Sequence, residues 1–174
     1  AARCIDWGEY TPRVQCFQAG ECFCIGDLRV RSFTIPHDSV DPVGFAVEVD
    51  GVRVGFATDL GYMPASVQFH LRGSDMLVLE SNHDLDMLKV GPYPWSVKQR
   101  VMGRSSHLSN ETVCDFILDD MDSCVRTLLL GHLSEHNNHP AIVEMVAAKA
   151  LRRRGLRAQL VVSEPRTLSP LFEF

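Results

Sequence analysis

No run of eighteen uncharged apolar residues occurs anywhere in the chain, so no segment has the make-up of a membrane-spanning helix. The first nine residues carry Arg3, Asp6 and Glu9 and no apolar stretch, and do not read as a secretory signal. They also lack an initiator Met, and the opening reads as that of a fragment. Positive charge is scarce: 17 Lys and Arg stand against 22 Asp and Glu, a net charge of −5. That balance speaks against a surface that holds nucleic acid mainly by neutralising phosphates. Lys89, Lys98, Arg100 and Arg104 still fall close together, which reads equally as a local basic surface or as a solvated helix face. Repeats, low-complexity runs and linkers are missing too.

Cysteine is present without a framework. The six cysteines (Cys4, Cys16, Cys22, Cys24, Cys114 and Cys124) fit no paired zinc-ribbon spacing. Cys114 and Cys124 flank an apolar segment and are expected as buried thiols. A reduced, cytoplasmic setting follows as the expectation.

What is there is an ordinary globular composition, 45% apolar and 22% charged over 174 residues, enough for one domain with a core. Residues 1–20 carry little pattern, and Tyr10-Thr11-Pro12 suggests an irregular segment. From Asp27 onward strands and helices alternate. Leu28 to Ile35 alternates as a strand. Gly44 to Val49 and Val52 to Ala57 flank Asp50-Gly51, a strong hairpin signal. Met63 to Arg72 reads as a short helix, Met76 to Leu79 as a buried strand, and Pro94 to Met102 as a helix. Ser109 caps a helix over Asn110 to Asp120. Val125 to Leu130 is wholly apolar, as in a strand covered on both faces. Pro140 to Arg154 has proline in its first turn, Ile142, Val143, Val146 and Leu151 on one stripe, three terminal arginines and Gly155 beyond. Leu156 to Val162 closes the series. The fold class is α/β, with polar residues in the loops at strand ends.

Three of those loops hold metal-binding side chains. His37 follows the strand ending at Ile35, Asp59 follows the one ending at Ala57, and His132 follows the one ending at Leu130. Stiff strands can present such residues to one edge of a sheet, and imidazole and carboxylate suit zinc or manganese. Each has a plainer reading as a capping or turn residue. Two more polar runs stand out: Glu80-Ser81-Asn82-His83-Asp84, and Arg104 to Asn110, which ends at a helix N-terminus where backbone N–H groups favour an anion. His136, Asn138 and His139 precede the long helix, where capping is the expected role.

Taken together and in order, these segments resemble the bacterial YycJ/WalJ group of metallo-β-lactamase-fold hydrolases, regarded as nucleases or phosphodiesterases. The resemblance rests on His37, Thr58-Asp59-Leu60-Gly61-Tyr62, Glu80 to Asp84, Pro92 to Lys98, Ser106-His107-Leu108-Ser109-Asn110-Glu111, and His132-Leu133-Ser134 with Asn137-Asn138. It extends from about Phe17 to Val162. It implies an αββα sandwich with two divalent metal ions, zinc or manganese, at one edge. His37, Asp59 and His132 are then the metal ligands, Asp59 bridging. His107 becomes catalytic without being a ligand, with Glu80 orienting it, and Ser106, Ser109, Asn110 and His83 become substrate contacts. The implied substrate is a phosphodiester, in DNA or RNA. No membrane partner is expected, and a homodimer is possible.

One departure carries weight. The His-x-His-x-Asp-His motif of that superfamily occurs nowhere in this chain. On the resemblance it belongs to a preceding segment of roughly 80 to 100 residues. Residues 1–174 are therefore expected to form the C-terminal portion of a single, N-terminally incomplete domain, inactive alone. The alternatives are a small-molecule phosphodiesterase, a thioester or lactone hydrolase, or a non-catalytic binding protein of the same fold.

Overall fold

At Asp50-Gly51 the backbone takes positive φ at both residues, 51° and 81°, the geometry that closes a two-residue hairpin whose twist matches its strands. The computed structural model describes Gly8, Glu9 and residues 14–174 apart from 165. The Tyr10-Thr11-Pro12 segment and Cys4 lie outside the described residues. Among the described residues seven strands form one sheet in simple sequence order: β1 (Cys22–Ile25), β2 (Leu28–Thr34), β3 (Val43–Val49), β4 (Val52–Ala57), β5 (Met76–Glu80), β6 (Thr127–Gly131) and β7 (Gln159–Val162). β1 to β4 meander antiparallel. β4 to β7 are parallel neighbours, joined by crossovers that carry helices. These are α1 (Ala65–Leu71), α2 (Leu85–Val90), α3 (Trp95–Val101), α4 (Asn110–Asp119) and α5 (Pro140–Arg154).

The register puts Phe33, Ala46, Ala57, Leu77, Leu79, Leu128 and Leu130 in one core with Val67 and Leu71 of α1, Val113, Phe116 and Ile117 of α4, and Val143, Ala147 and Leu151 of α5. Side chains alternate along strands. The opposite face therefore presents Val43, Phe45, Val47, Val54, Phe56, Val78 and Leu129, which are half-buried or exposed. Of the four expected layers, the described residues supply one sheet and one layer of helices. Ser109 caps α4 by accepting from the Thr112 N–H, and Gly155 ends α5 at φ 72°, as their positions predict.

Two elements add to those expected. β1 is a short edge strand, and α2 starts at Asp84, whose carboxylate accepts from the Asp86 and Met87 N–H groups. One other expectation is corrected, and one open reading narrows. Cys124 is exposed, because it lies in the loop before β6, while Cys114 is half-buried; the described cysteines are all free thiols. The cations Lys89 to Arg104 are not a free basic patch. Lys98 is buried with its ammonium on the Lys89 carbonyl, Lys89 pairs with Asp86, Arg100 pairs with Asp38, and Arg104 lies over the Tyr62 ring. Among the described residues no helix is long and apolar enough to cross a membrane.

Candidate metal centre

Because β2, β4, β5 and β6 run the same way, their C-terminal ends share one edge of the sheet. Sites in such sheets lie beyond the carboxyl ends of the strands. His37, Asp59, Glu80 and His132 sit at or just past those four ends, and the loop before α4 brings His107 to the same place. The cleft above them measures about 660 Å³, and His37, Asp59, Ser106, His107 and His132 all line it.

Asp59 is the meeting point. Its Oδ1 lies 3.9 Å from His37 Nε2, 3.8 Å from His107 Nδ1 and 3.7 Å from His132 Nδ1. Both Asp59 and His132 adopt left-handed backbone, at φ 59° and 55°. For residues other than glycine that costs about 1–3 kcal/mol each and is found where surrounding structure enforces it.

Glu80 is the support beneath. It is fully buried, and a buried carboxylate needs partners. Oε1 accepts from the Leu60 and Leu108 N–H groups at 2.9 and 2.8 Å. Oε2 lies 3.1 Å from His107 Nδ1 and 3.0 Å from His132 Nδ1. Burial alone would raise the Glu80 pKa, but the histidine and backbone donors outweigh it and hold it at about 2. An ionised carboxylate only accepts, so both rings donate from Nδ1 and keep Nε2 for the cleft. The same Glu80 bond raises the pKa of His132, against the effect of burial. His37 is fixed similarly: its Nδ1 lies 2.9 Å from the Ser106 carbonyl, which can only accept, so Nε2 is left bare toward Asp59.

This donor set suits a divalent metal. Ligand atoms bound at ~2.0–2.2 Å to one ion stand up to ~4 Å apart, which matches the gap between His37 Nε2 and Asp59. Imidazoles whose far nitrogen donates to a carboxylate or carbonyl are the usual metal-site arrangement. Asp59, Glu80, His107 and His132 also form a tight group of potential ligand atoms. Within it the oxygens of Glu80 are spent on hydrogen bonds, which leaves Asp59 and the second ring nitrogens of His107 and His132, with His37 Nε2 3.9 Å from Asp59 beside them.

The expected substrate contacts divide. Ser106 lines the cleft. His83, Ser109 and Asn110 do not; all three are buried, which corrects their expected role. Burial pushes the His83 pKa down to about 4. The Ser109 hydroxyl is occupied as a helix cap. Asn110 accepts from the Ser81 hydroxyl and exchanges hydrogen bonds with Asn138. In the run after β5, Asn82 lines the cleft while Ser81 and His83 do not, and His83 bridges to Ser109.

Several lining residues carried no earlier expectation. Asn82 donates to the His132 carbonyl and accepts from the Ser134 N–H, shaping the His132 turn. Tyr93 stands perpendicular to His136 across a ring separation of 6.0 Å. Asp38 holds Arg100. The Pro92 to Lys98 segment marks the Tyr93 wall in sequence; nothing local marks Asp38, whose partner is 62 residues away.

The chain is 32% identical over 139 residues to exodeoxyribonuclease YycJ of Bacillus anthracis, covering 80% of this chain and 53% of that protein. It is 29% identical over 161 residues to exodeoxyribonuclease WalJ of Streptococcus pneumoniae, covering 90% and 60%. It thus spans little more than half the length of these relatives. The metallo-β-lactamase-fold protein YhfI from Bacillus subtilis superposes with a TM-score of 0.63 at 15% identity, over 85% of this chain and 52% of that one, which shows the fold. Residues 5–133 match the family described as the beta-lactamase superfamily domain, and the chain belongs to that family.

Proposed function

We propose that the chain carries the metal-holding and acid–base half of a phosphodiesterase that cleaves nucleic acid. The observation that carries this reading is the convergence of three imidazoles on Asp59 above a buried, ionised Glu80. The names of the YycJ and WalJ relatives support DNA as substrate.

His37, Asp59 and His132 hold divalent metal, zinc or manganese, with two ions in the complete protein. Bound there, the metal would supply a water acidic enough to ionise near neutral pH and polarise the phosphoryl oxygens. His107 is not needed as a ligand. Its Nδ1 is engaged by Glu80, and its Nε2 is directed to the cleft, where it donates a hydrogen bond or proton to an anionic phosphate oxygen. Glu80 positions that ring. Three donors do not close two metal sites, so this chain alone should bind metal weakly and turn over negligibly.

The test is hydrolysis of a labelled oligonucleotide beside bis-p-nitrophenyl phosphate and a thioester, by the chain alone and within the longer polypeptide. The expectation is metal-dependent cleavage of the oligonucleotide by the longer form only. Cleavage of the thioester but of neither phosphodiester would overturn the reading. Robust turnover by this chain alone would show that the ligands are misassigned.

A further inference from the structure

One wall of the cleft is unused by the residues around Asp59. Tyr93, Val97, Arg100 and Val101 line it, from α3 and the turn before it. Among the described residues, Arg100 is the only Lys or Arg lining the cleft. Its side chain is 73% exposed, yet it is aimed: Nη2 and Nε lie 2.6 and 2.8 Å from Asp38 Oδ2. Asp38 in turn sits 3.7 Å from His37 Nε2, so the guanidinium stands one side chain away from the candidate ligands. A guanidinium has five N–H bonds, and those not directed at Asp38 remain for another anion. An exposed ion pair adds little to stability, so a purely structural purpose explains this arrangement poorly.

We propose that this wall is the subsite for the nucleotide next to the scissile phosphate: Arg100 binds the adjoining phosphate, and Tyr93 stacks on the base. The proposal rests on the phosphodiesterase reading above. A planar guanidinium fork matches phosphate oxygens, and an aromatic face accepts any base without sequence preference. Val97 gives the sugar an apolar neighbour. The cleft, at about 660 Å³, falls within the ~300–1,000 Å³ of sites that enclose whole small ligands, so it holds more than a lone phosphate. With a net charge of −5, the protein has little long-range attraction for a polyanion, which leaves recognition to such local contacts.

The experiment is fluorescence anisotropy of a labelled ten-thymidine single strand across a salt series, with and without Mn²⁺, which needs no turnover. Tyr93→Ala should weaken binding by roughly 5- to 100-fold, as for loss of one stacked base, and Tyr93→Phe should retain it. Arg100→Gln should weaken binding and flatten the slope of log affinity against log salt by about 0.7, one phosphate contact on a single strand. Asp38→Ala should bind as well as the parent or better, because it frees the guanidinium and removes a negative charge. Equal losses in Asp38→Ala and Arg100→Gln would show the pair to be structural and overturn the proposal. So would parental affinity in both Tyr93→Ala and Arg100→Gln. If the unsubstituted chain binds no strand at all, the nucleic-acid reading fails first and takes the subsite with it.

Discussion

The carboxylate of Glu80 lies 3.0 Å from Nδ1 of His132 while itself fully buried. The charge at the floor of the site is thus balanced from above by imidazole and from the sides by two backbone N–H groups. Removing one member of such a buried set leaves its partners unsatisfied, which costs more than the set contributed.

Glu80→Gln should therefore destabilise the metal-free chain at pH 7, and the size follows from titration. A carboxyl held at about 2 in the folded state, against about 4.5 when unfolded, contributes about 3 kcal/mol at neutral pH. Because the folded value is the lower one, this stability is present above about pH 4.5 and is lost as pH falls toward 2. Urea unfolding of both forms at a series of pH values checks this. The gap between them should be widest near neutrality and shrink in acid; a gap that does not change with pH would exclude ionisation of Glu80 as its source.

Gly61 offers a test of how the loops are pinned together. A Cβ built there would stand 2.3 Å from the Arg104 carbonyl carbon and 2.5 Å from the Ser105 nitrogen. These are backbone atoms and cannot swing aside. The Gly61 N–H also donates to the Pro36 carbonyl, so one glycine binds together the loops that carry His37, Asp59 and His107. Gly61→Ala should cost about 1–3 kcal/mol, as overpacking does. It should also weaken metal binding although no ligand is touched. Thermal unfolding with a metal titration measures both, and loss of neither would mean that the loops yield freely.

Periodic and capped elements were legible from sequence because their signals are local. The Asp50-Gly51 hairpin, the Ser109 cap and the proline-to-glycine span of α5 each carry their geometry within a few residues. β1 was not legible: Cys22–Ile25 is an edge strand whose side chains are mostly exposed, so no buried alternation marks it. α2 has only six residues and follows directly on the polar run from Glu80. At the site, placement after a strand end located His37, Asp59 and His132, since parallel strands deliver their ends to one edge. It could not show which members of the polar runs turn away from the cleft. His83, Ser109 and Asn110 therefore looked like cleft residues when they are buried supports. Lys98 misled for a related reason: its partner is a backbone carbonyl, which no side-chain pattern records.

The last prediction separates holding the metal from acting on the phosphate. His107 lines the cleft with His37 and His132, its ring 5.3 and 5.2 Å from theirs, so proximity alone does not distinguish it as a non-ligand. The Glu80 bond does not separate it from His132 either, whose Nδ1 lies 3.0 Å from the same carboxylate; the two roles separate by experiment. His107 Nδ1 is 3.1 Å from Glu80 and 3.8 Å from Asp59, and the ring rises from the loop that also supplies the Ser106 carbonyl to His37. In the longer, catalytically complete polypeptide, His107→Ala should lower kcat by ~10²–10⁴, as loss of a general acid or charge stabiliser does, with metal content unchanged. His37→Ala, Asp59→Ala and His132→Ala should each weaken metal binding by about tenfold or more, since even supporting residues of metal sites cost that much. Metal analysis after dialysis, set beside oligonucleotide turnover, reads both quantities on the same samples. Loss of metal from His107→Ala would make it a ligand, and near-normal turnover would reduce it to a loop residue. Either result would remove the acid–base role assigned here to the Glu80–His107 pair.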